Sequence, residues 1–410
     1  MSKTKLTSRE YLMPFILITA LFFLWGMAHG MLDVLNKHFQ VILNLSKAQS
    51  GLIQFSVYLA YFSMALPAGM FMKKFGYKRG IIMGLLLFAT GAFLIAGTTS
   101  LESFWVFLIC LFFMGCGLAT LETAANPYTT RLGDPEAAER RINLSQSFNG
   151  LAWTIGPLIG LYIYGNSGTG DGDKLSSLML PYLIIGTVVM LVAVIFFFST
   201  LPEIPEAYTP ATKFPETNED SESKPLIKQK HFVLGVIAQF CYVAAQTGIF
   251  SYLINFVTDE TQTPNFPNSA GPWFLSLGFA LFMIGRMSGS FIMGYFKPAK
   301  ILAVYTICIC LLLPIVAGDF GWVSLISLYC VFFFMSIMFP TIFAMGIKGL
   351  GEKTKKASSF IVMSIVGGAL FPAFMGWIAD HSSMSIGFLA PIPLFAFILY
   401  YALHGHKVQA

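Results

Sequence analysis

The chain has 410 residues, of which 56% are hydrophobic and only 11% charged, whereas a soluble domain carries roughly 25% charged residues. With a mean hydropathy of +0.71, this composition excludes a soluble globular protein and points to an all-α polytopic membrane protein. The formal net charge of +5 does not imply a nucleic-acid partner, because the basic residues are confined to particular loops, where they report topology.

The first ten residues are basic, and the apolar run after them reaches spanning length, has no small-residue cleavage site and contains Asp33. It reads as a first membrane helix, not a signal peptide. At about 20 residues per crossing, the chain holds twelve spans, near 11–37, 48–72, 79–99, 103–130, 142–165, 178–201, 231–257, 271–296, 300–317, 321–347, 358–380 and 386–403. Residues 202–230 carry five prolines, an acidic pair at Glu219-Asp220 and no apolar periodicity. They read as a linker between an N-terminal six-helix bundle, 1–201, and a C-terminal one, 231–410.

Of the 25 Lys and Arg, 21 fall in the termini and in alternate loops, three (Lys37, Lys47 and Lys174) in the opposite loops, and Arg286 within a span. Positively charged loops stay cytoplasmic, so both termini are expected on that side. All six cysteines lie in apolar segments without metal-type spacing. They read as packing residues, with no disulfide, metal or cofactor implied.

Polar residues within the spans are the candidates for chemistry. The first span carries His29 and Asp33, one turn apart, and the fourth carries Glu122 and Asn126 with the same spacing, so each pair shares a helix face. A carboxylate at membrane depth costs a few kcal/mol or more, so such residues face a cavity and serve function. His29 is close enough in sequence to bond Asp33 and join a proton relay, or else it packs. The fifth span adds Gln146, Asn149 and Trp153, and the seventh adds Gln239, Tyr242 and Gln246. Amides with aromatics suit a neutral monosaccharide, although each amide serves equally well to join helices. Gln146 and Asn149 are expected to donate hydrogen bonds to sugar hydroxyls. Arg286 reads as a brace for carbonyls in the eighth span, with substrate contact the lesser alternative.

A shift of about 220 residues exposes a weak internal repeat: Leu132-Gly133 falls on Leu350-Gly351, Gly69 on Gly289 and Gly150 on Gly368. Tandem halves of this kind mark a parallel-repeat transporter whose site lies between them. The repeat breaks at the acids, since Glu122 falls on Ile342.

The basic turn from Gly69 to Gly80, Gly-Met-Phe-Met-Lys-Lys-Phe-Gly-Tyr-Lys-Arg-Gly, resembles the loop signature of the major facilitator superfamily, with Lys73 where an acid is usual. Leu121-Glu122-Thr123-Ala124-Ala125-Asn126-Pro127, Arg141 to Asn149, Ala238 to Tyr242 and Ser358 to Met363 narrow the resemblance. Together they look like the fucose, glucose and galactose proton symporter family. The resemblance implies a major facilitator fold of 12 transmembrane helices in two six-helix halves. It implies a monomeric carrier in the bacterial inner membrane that imports L-fucose or a related hexose with protons by alternating access. It also implies that Asp33 and Glu122 are the protonation and coupling residues and that Gln146 and Asn149 line the sugar cavity. Where L-fucose members place asparagines before the first-helix Asp, this chain reads His29-Gly30-Met31-Leu32. From the residues alone, two other readings stand beside proton symport. One is a sodium-coupled carrier, because carboxylates also ligate that cation; the other is a membrane enzyme with Asp33 and Glu122 as acid and base.

Overall fold

The computed structural model describes residues 6–43, 45–101, 103–134, 137–166, 178–202, 225–259 and 266–408. Every regular element among them is helical. Ten helices are long and apolar enough to cross a membrane. One of these, Leu52–Thr98, holds both the second and third spans, and Ala138–Asn166, richer in polar residues, completes twelve.

The first span is Leu12–Leu43, several residues longer than its apolar run. Between the second and third spans the backbone turns at Gly76, with φ 83° and ψ 168°, a region that only glycine enters without strain. The stretch is therefore two helices that meet at Gly76 in the basic turn. Ser103 opens the fourth span, Phe104–Arg131, by accepting from the Val106 amide. The fifth is Ala138–Asn166 and the sixth Met179–Phe198.

Residues 203–224, most of the expected linker, lie outside the described residues, as does Lys174. The seventh to ninth spans are Lys230–Val257, Gly271–Ile292 and Pro298–Ala317. The last three are interrupted: Trp322–Met335 with Met338–Gly346, Thr354–Met363 with Gly367–His381, and Met384–Gly387 with Ile392–Tyr400. Gly133 and Gly351, paired by the sequence repeat, both have positive φ, at 142° and 51°.

The surface is inverted relative to a soluble protein. Phe198 is 79% exposed, and Trp105, Leu191 and Phe291 are also on the outside, while Asp33, Glu122 and Arg286 are buried. Lipid tails take the apolar outer face, and the polar groups find partners inside the bundle.

Contacts between N-terminal and C-terminal spans occur at three levels. Toward the N-terminal side, the Ser290 hydroxyl reaches the Arg140 carbonyl at 3.5 Å and Gly69 abuts Ser359. At mid-depth, Arg286 reaches the fifth span. On the far side, the Ser276 hydroxyl donates to the Thr154 carbonyl at 2.6 Å. Arg140 and Thr154 lie on the same helix, about 21 Å apart along its axis. The bundle is closed at both ends.

Candidate functional site

Two polar clusters occupy the interior, one around each acid. Asp33 accepts from the Ser251 hydroxyl at 2.9 Å and from the Gln54 amide at 3.2 Å. Gln54 is itself held by Asn36, whose amide donates to Gln54 Oε1 at 3.0 Å. One carboxylate therefore ties the first span to the second and, across the bundle, to the seventh. Beside it, Thr247 donates to the Tyr58 hydroxyl at 3.4 Å, a second bond between the halves on the same side.

His29 does not bond Asp33. Its Nε2 pairs with the Tyr61 hydroxyl at 3.0 Å, its ring stacks on Trp153 with centroids 5.7 Å apart, and its Nδ1 is buried without a partner. The helix turns the imidazole toward the second and fifth spans, where a phenol and an indole face are available. The Tyr61 hydroxyl is also within hydrogen-bonding reach of the Glu122 carboxyl, so His29 connects to the second acid.

Glu122 begins a chain of amides. Asn126 Nδ2 donates to Glu122 Oε1 at 3.4 Å, and Gln146 Nε2 donates to Asn126 Oδ1 at 3.4 Å. Arg286 Nη1 donates to Gln146 Oε1 at 3.0 Å, to the Gln146 carbonyl at 2.8 Å and to Asn149 Oδ1 at 3.3 Å. The Asn149 amide nitrogen donates to the Phe22 carbonyl at 3.1 Å. The direction of the chain is set by its ends, because a guanidinium can only donate and a carboxylate can only accept. Gln146 and Asn149 each spend one side-chain N–H on a neighbour within the N-terminal half, and the groups they turn toward Arg286 are side-chain oxygens.

Arg286, read from the sequence as a brace for carbonyls, shares a structural task with Tyr242, a residue expected at the sugar site. The tenth span breaks between Met335 and Met338, which leaves carbonyls that must be satisfied inside the protein. Tyr242 donates to the Met335 carbonyl at 2.9 Å, and Arg286 Nε donates to the Ser336 carbonyl at 2.8 Å. The guanidinium also lies over the Phe282 ring, 4.4 Å from its centroid. Tyr242 is fully buried at this break, away from the amide chain's hydrogen bonds. Gln239 is buried on the same helix with neither amide atom bonded, and Gln246 is buried further along it.

Trp153 links the clusters. It stacks on His29 and faces Phe282 at 6.2 Å, and its Nε1 is buried without a partner. Between it and Asp33 is a cavity of about 10 Å³ lined by His29, Leu32, Asp33, Gln54, Tyr58, Trp153, Thr247 and Phe250. That holds about one water, against the 300 Å³ or more of a typical small-molecule site. A larger groove of about 480 Å³, lined by Phe71, Arg79, Leu86 and Phe197 among others, lies apart from the acids. Its lining suits lipid better than a sugar. Among the described residues no cluster of His, Cys, Asp and Glu is arranged to hold a metal ion.

Sequence reading found both acids and the amides but missed Ser251, Gln54, Tyr58 and Tyr61. A hydroxyl within an apolar span is too common to single out. Gln54, near the start of the second span and fully buried, was the one legible signal.

The Major Facilitator Superfamily profile matches residues 15–365. The L-fucose-proton symporter of Escherichia coli (strain K12) is 37% identical over 424 residues, covering 96% of this chain and 93% of that protein. The glucose/galactose transporter of Brucella abortus is 35% identical over 392 residues, covering 95% and 93%. The crystal structure of the E. coli fucose:proton symporter, solved in the outward conformation, is similar with a TM-score of 0.80 at 36% identity, covering 98% of this chain and 100% of that one.

Proposed function

This chain belongs to the major facilitator superfamily, and on that premise we propose that it imports a neutral monosaccharide, L-fucose or a related hexose, by proton symport. The observation that carries the reading is the pair of buried acids on separate N-terminal spans, Asp33 bonded across the bundle and Glu122 joined by amides to a site between the halves. The E. coli L-fucose-proton symporter supports both the sugar and the proton, and the Brucella glucose/galactose transporter supports the hexose.

The sugar binds near Trp153. The indole supplies an apolar face and an unpartnered N–H, His29 an unpartnered ring nitrogen, and Gln146 and Asn149 their carbonyl oxygens. A hexose presents hydroxyls around an apolar ring, so this mixture suits it, and the buried amides discriminate against analogues that leave them unpaired.

Asp33 controls the far gate and Glu122 answers to the sugar site. An unprotonated Asp33 resists the dehydration that closure over the load requires, and protonation removes that resistance. Residues 1–201 and 231–410 act as the rocking bodies, joined by 202–230, with the protein a monomer in the bacterial inner membrane and both termini cytoplasmic. No cofactor enters the cycle; the coupling ion is the proton.

The test is uptake into proteoliposomes of purified protein. A panel of radiolabelled hexoses is offered under an imposed proton gradient, an imposed sodium gradient, or neither. Accumulation of L-fucose or a related hexose driven by protons alone is the expected result. Accumulation driven only by sodium, or none of any hexose under either gradient, would overturn the proposal.

A further inference from the structure

Among the described residues Arg286 is the one cation buried among the polar groups of the site, and in this closed structure it occupies the side-chain oxygens that a sugar needs. Its Nη1 donates to Gln146 Oε1 and Asn149 Oδ1, while its Nε stays on the Ser336 carbonyl at the break in the tenth span. The guanidinium is thus anchored in the C-terminal half and gripping the N-terminal half.

We propose that Arg286 is an internal competitor of the sugar, a latch whose grip is set by the charge on Glu122 through Asn126 and Gln146. The inference rests on the proton–sugar reading above. A charged Glu122 accepts from Asn126, which orients the Asn126 oxygen to accept from Gln146, which in turn presents its own oxygen to Arg286. Asn126 and Gln146 then each point a donor toward the acid and an acceptor toward the guanidinium. Glu122 and Arg286 also attract each other directly. A proton arriving on the carboxylate removes the anion at one end of the chain. Asn126 loses its charged acceptor, the alignment weakens, and the guanidinium gives up Gln146 and Asn149 to the sugar hydroxyls while its Nε holds Ser336. The proton on Glu122 therefore binds before the sugar.

The other groups facing Glu122 are neutral or are Arg286 itself. Tyr61 and Tyr58 approach from the second span, and His29 from the first span reaches it only through Tyr61. Asp33 belongs to the other cluster, on Ser251 and Gln54.

The test is sugar affinity by calorimetry on the full-length purified protein at acidic and alkaline pH, with the wild type, Arg286→Gln, Arg286→Lys and Asn149→Ala, using the hexose that the wild type transports. The wild type should bind more weakly at alkaline pH. Arg286→Gln should bind at alkaline pH at least about 5-fold more tightly than the wild type, the lower end of typical coupling between sites, and should lose most of its dependence on pH. Arg286→Lys keeps the charge without the two-sided grip and should fall between them. Damage to the fold weakens binding, so tightening is a readout that a merely structural role does not produce. Arg286→Gln binding more weakly than the wild type at both pH values, or keeping the full pH dependence, would overturn the latch. Loss of binding in Asn149→Ala alongside no tightening in Arg286→Gln would sink the latch and leave the sugar site standing. No hexose binding by the wild type would sink the reading beneath both.

Discussion

The roles proposed for Glu122, Asp33 and Asn149 can each be tested with a nearly isosteric or smaller side chain. Glu122→Gln keeps an acceptor for Asn126 but cannot take up a proton. Proton-driven accumulation should fall to background, measured as the ratio of internal to external sugar in proteoliposomes; accumulation at the wild-type level would remove Glu122 from coupling. Asp33→Asn keeps an oxygen for Ser251 and Gln54 and mimics the protonated acid. Sugar counterflow should persist while uphill uptake fails, and a variant that accumulates sugar normally would count against the gate role. Asn149→Ala deletes both the bond to the Phe22 carbonyl and the acceptor for Arg286. Leaving buried polar groups unpaired costs about 1–3 kcal/mol, so calorimetry should show sugar binding weakened by roughly 5- to 150-fold.

At the scale of elements, the first and fifth spans are pressed together. A Cβ added to Gly26 would lie 2.6 Å from the Asn149 carbonyl oxygen and 2.7 Å from its Nδ2. Gly26→Ala must therefore move one helix off the other or displace Asn149. Overpacking of this kind costs about 1–3 kcal/mol, which should appear as a lower unfolding temperature together with weaker sugar binding. An unchanged melting curve and affinity would mean that the helices separate freely there. The broken tenth span shows the complementary device. Its interruption frees carbonyls at Met335 and Ser336, and long side chains from the seventh and eighth spans satisfy them. Irregular backbone is thereby tolerated at membrane depth, where water is absent.

For the whole molecule, closure at both ends is the informative state, because it brings Arg286, Gln146 and Asn149 together and shrinks the space beside Asp33 to about one water. Two glycines in opposite gates allow it. Gly69 abuts Ser359 toward the N-terminal side, and a Cβ at Gly368 would meet Tyr58 at 2.9 Å on the other. Leucine at each should prop open its own gate. Cysteines placed beside the two gates should then change labelling in opposite directions, with Gly69→Leu favouring access from the N-terminal side and Gly368→Leu access from the far side. Labelling that shifts the same way in both would refute the assignment of the gates.

Much of this was legible in the residues alone. Apolar run length, the bias of Lys and Arg among loops and the cost of an isolated carboxylate act locally, so the spans, the repeat and the candidacy of Asp33 and Glu122 followed from composition along the chain. The partners did not. Ser251 is 218 residues from Asp33, and Arg286 is 140 from Gln146. Whether they meet depends on how each helix is rotated about its axis and on the axial register of spans distant in sequence. His29 illustrates the point: its spacing put it on the face of Asp33, but the packed neighbours offered Tyr61 and Trp153 instead. Helical periodicity settles which residues share a face. Only packing of the assembled bundle decides what that face meets, because the hydrogen bonds that orient a buried polar group come from helices whose relative placement no local pattern encodes.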